Sequence, residues 1–247
     1  MTTAAPPPAP LAPVTAVLPL RGTSVRVPGK NRRPLAGRPL FHHILGTLAA
    51  ADVVDRIVVN SDDPAILDEA LTVVPAALAM RRPAALAAPE TSMNDVLRDT
   101  LDRLPSDAGL ILQTHATNPF LTAATLGRAI AALRAAWPDR DSLFAVTRRQ
   151  VRLWDASGRP LNHDPARLLP TQDLAPVFEE NSCLYLFTAA GLRARGTRIG
   201  ARPLLFETPA LESLDIDEAS DFVLAEALAA HPARPAAAPV SCPRTSG

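Results

Sequence analysis

A short loop near the start of the chain combines basic side chains with glycines, a combination suited to binding phosphate groups. It reads RGTSVRVPGKN, from residue 21 to residue 31, and contributes Arg21, Gly22, Arg26, Gly29 and Lys30. Cationic side chains neutralise phosphate oxygens, and glycine lets backbone N–H groups approach them. Lys30 is the one lysine of the chain, and a flexible ammonium differs from a planar guanidinium as a phosphate contact. The loop therefore predicts a triphosphate site, and the alternative is a solvated basic turn.

Neither of two common nucleotide-binding motifs fits this loop. A Walker A motif has four residues between its glycines and Ser or Thr after its lysine. Here six residues separate Gly22 from Gly29, and Asn31 follows the lysine. A GxGxxG dinucleotide motif is also absent from the sequence.

Two acidic residues near the end of the chain, Asp215 and Asp217, form the second chemical candidate. Residues two apart on a strand point to one face, so both carboxylates could reach a hard cation that bridges phosphates. The alternative is that Asp217 caps the helix expected after it, with Glu218 in the first turn.

A regular alternation of short apolar runs and amphipathic segments must position these groups. Strands are expected at 14–20, 56–60, 77–80, 110–113, 183–187 and 203–206, and a closing strand-to-helix unit follows from residue 213. Helices are expected to open at Pro39 and at Ser61 or Asp62, and to cover 94–104 and 123–137. The pattern predicts an α/β fold of Rossmann-like, three-layer type, with a mostly parallel sheet that binds ligands at the carboxyl ends of its strands.

Residues 142–182 interrupt this alternation. They begin with two strands and a turn at 156–158, with no helix between the pieces. This predicts a β-hairpin excursion from a core domain at 14–230, which either covers the site or pairs with a second subunit. Proline- and alanine-rich segments at 1–13 and 231–247 are expected to be disordered.

Composition excludes several functional classes. The formal net charge of zero argues against binding to nucleic acid or membrane by bulk charge, and no run of eighteen apolar residues is available to span a bilayer. Two cysteines, Cys183 and Cys242, are too few for a disulfide framework or a zinc site with the usual spacing. A reducing cytoplasm fits best.

Several motifs, taken in order, resemble the cytidylyltransferases that activate sialic acids and related 2-keto sugar acids. They are RGTSVRVPGKNRRPLAGRPL, NSDDPAILDEA, LILQ, QDLAPVFEENSCLYLF and SLDIDEASDF, and the likeness runs from about residue 14 to residue 229. The resemblance implies that CTP and a nonulosonic sugar acid give a CMP-sugar and pyrophosphate, with Mg²⁺ as cofactor. It also implies a homodimer formed through the excursion.

The resemblance assigns roles residue by residue. It implies catalytic roles for Arg21, Lys30 and Asp217, and magnesium ligation by Asp215 and Asp217. It implies nucleotide binding by Arg21, Gly22, Ser24, Lys30, Asn31, Arg82 and Gln113. It places Gln172 and Asn181 on the sugar side. For His115, the sequence favours a structural, hydrogen-bonded role over a place in the pocket.

Departures from the family pattern surround the expected pocket and leave the sugar open. Thr23 stands where the family has a second loop glycine, Ser182 follows Asn181 in place of glycine, and the segment from Gln113 to Pro119 is two residues longer. A 3-deoxy-octulosonate substrate is therefore the nearer alternative. A noncatalytic homologue that binds nucleotide or sugar is the alternative from another class.

Overall fold

The computed structural model describes residues 11–24, 26–105 and 109–231. Most of the expected leader at 1–13, and all but the first residue of the expected tail at 231–247, lie outside the described residues. No helix in these three ranges is both long and apolar enough to cross a membrane.

Strands and helices alternate through most of these ranges. The strands are β1 (Val14–Leu20), β2 (Pro34–Leu35), β3 (Arg38–Pro39), β4 (Arg56–Ser61), β5 (Leu78–Arg81), β6 (Leu110–Thr114), β7 (Ser142–Arg149), β8 (Val177–Thr188) and β9 (Pro203–Glu207). The helices are α1 (Leu40–Ala49), α2 (Pro64–Val73), α3 (Met93–Asp102), α4 (Ala123–Ala136), α5 (Ala189–Arg195) and α6 (Ala219–Ala230). Short 3₁₀ turns occur at Lys30–Arg32, Ala84–Leu86 and Thr171–Asp173.

The main sheet has the order β5-β4-β1-β6-β8-β7-β9. β1 is parallel to both β4 and β6, β4 to β5 and β7 to β9, whereas β8 runs antiparallel to β6 and β7. Every residue of β1 is buried, as a central strand with both faces covered requires. The predicted α/β class with a mostly parallel sheet is confirmed.

Two hydrophobic clusters cover the opposite faces of the sheet. On one face, alternate residues of β1 such as Ala16 and Leu18 pack with apolar residues of α1, α2 and α4. On the other face, Val17 packs with residues of α3 and α5 that include Leu97 and Leu192. The alternation along β1 thus produces the expected three layers, with the sheet between two layers of helices.

Two local predictions are wrong in detail. No second strand follows β7 within the described excursion, because a turn centred on Asp155 leaves only the isolated bridge between Trp154 and Pro160. The hairpin instead consists of the far ends of β7 and β8, which pair from Val146 and Glu180 outward. Helix α2 is capped by Asp63, whose side chain accepts a hydrogen bond from the Ala65 N–H, and not by Ser61 or Asp62.

Candidate active site

A cavity of about 280 Å³ opens at the carboxyl ends of β1 and β6. Its polar lining consists of Arg21, Thr23, Ser24, Arg26, Lys30, Asn31, Arg82, Thr91, His115, Thr117 and Asp217. The cavity thus brings together the loop after β1 and the segment before α6, two regions far apart in sequence. Four of its lining side chains are cationic at neutral pH and one is a carboxylate, so the cavity suits a polyanion.

The loop after β1 is fixed at both of its ends. The Gly22 N–H donates a 3.0 Å hydrogen bond to Asp62 Oδ1, and a Cβ atom at residue 22 would lie only 2.7 Å from the Asp63 Cβ. Glycine is therefore needed for this close approach. Its amide is engaged within the protein, and its binding to nucleotide stays a prediction. At the other end, the Asn31 side-chain N–H₂ donates to the Arg21 carbonyl oxygen at 2.8 Å.

A small separate core joins the loop to the acidic segment. It contains Val27, Leu35, Leu40, Ile216, Phe222 and Ala225, all buried. The guanidinium of Arg33 also lies over the Phe222 ring, 4.2 Å from its centroid. Apolar packing therefore holds the loop after β1 and the start of α6 in one unit, which fixes the distance between their charged groups.

Lys30 makes the direct polar contact between these two regions. Its ammonium donates to the Ile216 carbonyl oxygen at 2.8 Å and to Asp217 Oδ1 at 3.1 Å. Arg26 contacts the same carboxylate oxygen at 2.8 Å. Partial burial acts to raise the pKa of Asp217, but the hydrogen bonds and positive charges of Lys30 and Arg26 bring it below its ordinary value. The carboxylate is therefore held ionised beside the cavity.

The segment that carries the acidic pair is not a strand, which corrects the prediction. The Ile216 N–H donates to the Thr117 carbonyl oxygen, and the backbone N–H groups of Asp217 and Glu218 both donate to Asp221 Oδ2. Because a loop carbonyl and a side chain, and not a neighbouring strand, satisfy these N–H groups, the sheet ends before this segment. The alternative that Asp217 caps helix α6 is also wrong, since Glu218 is the N-cap of α6 and forms a capping box with Asp221.

Asp215 is the mostly buried member of the acidic pair. Its Oδ1 atom is buried with no hydrogen-bond partner among the described residues. Burial raises the pKa of Asp215 above its ordinary value and the negative charge of Asp217 adds to the shift, while a hydrogen bond with the Thr117 side chain opposes it. An unpaired buried carboxylate oxygen is costly, and a cation would remove that cost.

The donor set around this pair fits a hard divalent cation. Mg²⁺ prefers carboxylate oxygens and usually takes only one or two of them, with substrate phosphates and water completing its shell. The described ranges contain no cluster of three or more acidic, histidine or cysteine side chains arranged as a metal site. The protein therefore offers a metal ion two carboxylates, of which Asp215 has the unpaired buried oxygen.

Arg82 enters the cavity from the residue after β5 and is 97% buried, with 3% of its surface exposed. Its Nε donates to Asn60 Oδ1 at 2.7 Å and its Nη2 donates to the Asn60 carbonyl oxygen at 3.2 Å. Asn60 itself donates to Thr100 Oγ1 on α3. Burial lowers the pKa of Arg82, but an arginine retains its charge in proteins. Asn60 therefore orients a buried cation at the cavity wall.

Gln113 does not line the cavity, whereas His115, two residues further on, does. The Gln113 side-chain oxygen accepts a hydrogen bond from Arg198, and its nitrogen lies 2.7 Å from His115 Nε2. The Arg198 guanidinium also stacks on Tyr185, 3.5 Å from the ring centroid. A nucleotide contact by Gln113 stays a prediction. His115 is hydrogen-bonded as expected, but it also lies in the cavity wall, the place that the sequence did not favour.

The two residues predicted on the sugar side lie outside the cavity lining. Gln172 is exposed on the excursion. The Asn181 side-chain nitrogen lies within hydrogen-bond distance of Thr147, Thr208 and Ser213. Their contact with a sugar stays a prediction.

Sequence reasoning missed Asn60 and Arg198. Asn60 could have been found from its position at the end of a buried apolar strand, where a polar residue needs a partner. Arg198 carries no local signal, because its importance depends on contacts with distant strands.

Comparison with known proteins agrees with this architecture. A family model described as cytidylyltransferase matches residues 15–231. CMP-N,N'-diacetyllegionaminic acid synthase of Legionella pneumophila is 28% identical over 228 residues, which are 87% of this chain and 95% of that protein. N-acylneuraminate cytidylyltransferase A of Danio rerio is 28% identical over 220 residues, which are 86% of this chain but only 50% of that longer protein.

Solved structures show the same fold at low sequence identity. A 4-diphosphocytidyl-2C-methyl-D-erythritol synthase from Anaerococcus prevotii superposes with a TM-score of 0.65 at 13% identity, over 88% of this chain and 96% of that one. A CMP:2-keto-3-deoxy-manno-octonic acid synthetase in complex with CTP gives 0.61 at 16% identity, over 89% and 99% of the two chains.

Open α/β sheets bind ligands at the carboxyl ends of their strands, where this cation-lined cavity lies, and the family match makes the protein a nucleotidyltransferase. The chain belongs to the cytidylyltransferase family, whose model matches nearly all of the described residues.

Proposed function

We propose that this protein transfers a cytidylyl group from CTP to a sialic-acid-like 2-keto sugar acid and releases pyrophosphate. The observation that carries the proposal is the contact of Lys30 with Asp217 beside the unpaired carboxylate oxygen of Asp215. A cation for the phosphates and one carboxylate for a metal, Asp217, thus meet in the cavity lining, while Asp215 lies two residues before Asp217 and outside that lining. The names of the curated relatives, which include sugar-acid cytidylyltransferases, support the choice of substrates.

The reaction is an in-line displacement at the α-phosphate. The anomeric hydroxyl oxygen of the sugar acid bonds to the α-phosphorus, the bond from that phosphorus to the bridging oxygen breaks, and pyrophosphate leaves with the electron pair. The hydroxyl proton is lost to solvent or to a base. Negative charge grows on the departing pyrophosphate, so preorganised cations lower the barrier.

Three of the four cavity cations have a place in this proposal. Lys30 and Arg21, on the loop after β1, neutralise the leaving phosphates, while Ser24 and Asn31 donate to phosphate or base. Arg82 is already oriented by Asn60, so it needs little reorganisation when an anion arrives. Asp215 and Asp217 would hold Mg²⁺, which when bound screens the phosphate charge and orients the triphosphate.

The sugar is proposed as a nonulosonic acid, with 3-deoxy-octulosonate as the alternative. Relatives named 3-deoxy-manno-octulosonate cytidylyltransferase keep that alternative open, for example one from Maricaulis maris that is 31% identical over 122 residues. A noncatalytic role is disfavoured because the loop and both carboxylates are in place together.

We also propose a homodimer formed through the excursion. Large apolar side chains are exposed along it at Val151, Leu153, Trp154, Leu161, Leu168 and Phe178. A group of exposed apolar residues on one segment is typical of a protein interface.

Pyrophosphate release tests the proposed function. Purified protein with Mg²⁺ is given each of the four nucleoside triphosphates in turn, together with a panel of nonulosonic and octulosonic acids. We expect release with CTP and one class of acid, and none when the acid is omitted. Binding of CTP without release for any acid in the panel would favour the noncatalytic alternative.

A further inference from the structure

The side chains of Arg198, Gln113 and His115 form a chain of hydrogen bonds that ends at the cavity. We propose that Arg198 and Gln113 lock the His115 imidazole in its Nδ1–H form, so that a neutral donor faces an anionic oxygen of the bound ligand. The identity of that ligand rests on the proposed function, whereas the lock itself rests only on this geometry.

The orientation of the Gln113 carboxamide follows from its partner. An arginine guanidinium carries N–H donors and no acceptor, so the Gln113 oxygen must face Arg198. The amide nitrogen then faces His115, and it also lies 3.4 Å from the Thr114 carbonyl oxygen, which can only accept. Both neighbours of the carboxamide thus require the same orientation.

The tautomer of His115 follows in turn. The Gln113 nitrogen lies 2.7 Å from His115 Nε2 and can only donate, so Nε2 must be the unprotonated acceptor. In a neutral imidazole the proton then resides on Nδ1. Burial and the positive charge of Arg198 bring the pKa of His115 down to about 3, so the ring stays neutral throughout the physiological range.

The second ring nitrogen is the one left for a ligand. Nδ1 makes no hydrogen bond to any residue in the described part of the chain, and it is not among the buried atoms that lack a partner. Since His115 lines the cavity beside Thr117 and Asp217, the accessible Nδ1–H can serve whatever fills that space. A neutral imidazole can donate a hydrogen bond to an oxygen without adding a positive charge. A positive charge would compete with the metal ion for the carboxylates of Asp215 and Asp217.

The oxygen that accepts the hydrogen bond from Nδ1–H is anionic and belongs either to a nucleotide phosphate or to the carboxylate of the sugar acid. His115 is thus a direct ligand contact, and Gln113 and Arg198 are positioning residues that act through it.

Nitrogen-15 NMR of the histidine rings tests the lock without any assay of activity. In protein labelled with ¹⁵N-histidine, the His115 signals are assigned by their loss in His115→Asn. We expect a protonated Nδ1 and an unprotonated Nε2. In Gln113→Glu the carboxylate can only accept, so Nε2 should gain a proton. A protonated Nε2 in the unaltered protein would overturn the lock, even if the proposed function were right.

Two substitutions at His115 test the donor. The asparagine side-chain nitrogen occupies nearly the position of Nδ1, whereas that of glutamine reaches nearly the position of Nε2. His115→Asn should therefore keep ligand affinity within about threefold, and His115→Gln should weaken it by roughly tenfold or more, as expected for a lost hydrogen bond to a charged group.

Separate measurements identify the oxygen. Weaker CTP binding by calorimetry with Mg²⁺ in His115→Gln assigns the phosphate, while unchanged CTP binding with a raised KM for the sugar acid assigns the carboxylate. If the two variants gave the same CTP affinity and the same KM for the sugar acid, the proposal that His115 donates to the ligand would be overturned. If CTP does not bind to the unaltered protein, the proposed function fails, and binding of inorganic tripolyphosphate to the two variants then decides the donor in the same way.

Discussion

The ammonium of Lys30 lies 3.1 Å from Asp217 Oδ1, although 187 positions separate the two residues in sequence. The same ammonium donates to the Ile216 carbonyl oxygen, so it is held on the acidic segment by two contacts. Only 12% of the Lys30 side chain is exposed, which makes this contact unlike a surface ion pair. The basic loop after β1 and the proposed metal segment are therefore one structural unit.

Replacement of Lys30 by alanine should reduce kcat/KM for CTP by roughly 10²- to 10³-fold, because a preorganised cation is removed from the site of charge development. Lys30→Arg should recover only part of this loss, since a planar guanidinium cannot reproduce both short contacts of the ammonium. Steady-state kinetics with CTP and the accepted sugar acid measure the effect. Arg38→Gln, at an exposed cation outside the cavity, is the matched control. Equal losses in Lys30→Ala and in this control would contradict the assignment.

Asp215→Asn should separate stability from activity. The raised pKa of Asp215 means that the folded protein disfavours its charged form, so a neutral amide of equal size should stabilise the metal-free protein at pH 7. The same change should reduce turnover at least about 100-fold, because a ligand for Mg²⁺ is lost.

Thermal unfolding in the presence of a chelator, and again with Mg²⁺ and CTP, distinguishes these effects. We expect Asp215→Asn to melt at the same or a higher temperature than the unaltered protein in chelator, and to gain less from Mg²⁺ with CTP. A lower melting temperature in chelator would contradict this, because it would show that the ionised Asp215 carboxylate stabilises the metal-free protein.

His115 should make the protein less stable in acid. Its folded pKa of about 3 lies below the ordinary value of 6.5, because burial and the charge of Arg198 oppose protonation. Between these two values the unfolded chain binds a proton that the folded chain does not, so the free energy of unfolding falls as pH decreases below 6.5. The contribution of one such group is up to about 1.4 kcal/mol per pH unit.

Urea unfolding of the unaltered protein and of His115→Asn, between pH 7 and pH 4, measures this contribution. The stability of the variant relative to the unaltered protein should increase as the pH is lowered. A constant difference across this range would mean that His115 is protonated equally in the folded and unfolded states.

The proposed dimer should depend on the apolar side chains of the excursion. Leu168 is 73% exposed and Trp154 is 51% exposed in the single chain, so glutamate at both positions should leave the fold intact and prevent association. Sedimentation velocity should show twice the 26.2 kDa chain mass for the unaltered protein and a single chain for the double variant. Val223→Glu, at a 66% exposed position on α6, is the control. Sedimentation of the unaltered protein as a monomer at micromolar concentration would contradict the proposed dimer.

Most of the fold could be predicted because its signals are local. The apolar run of β1 and the amphipathic pattern after Pro39 each specify one element, and the structure confirms both. The strand expected at the start of the closing unit from residue 213 is absent. The Ile216 N–H donates to the Thr117 carbonyl oxygen and the Asp217 N–H donates to Asp221, contacts that strand periodicity does not reveal.

The site was only partly predictable for a different reason. The loop and Asp217 meet in one cavity as expected, since each motif carries its own chemical signal. The support from Asn60 to Arg82, and the link from Arg198 through Gln113 to His115, depend on which strands become neighbours. Such tertiary contacts have no signature in a single segment of sequence.

Phosphorus-31 NMR of the complete reaction is the most direct test of the central claim, which is attack by a sugar-acid hydroxyl on the α-phosphate of CTP. With Mg²⁺ and the accepted acid, we expect the three CTP resonances to be replaced by pyrophosphate and one phosphodiester resonance, in equal molar amounts. The phosphodiester should not form with Lys30→Ala on the same timescale. Formation of orthophosphate and CDP would contradict the account, because it would place the attack on the γ-phosphate.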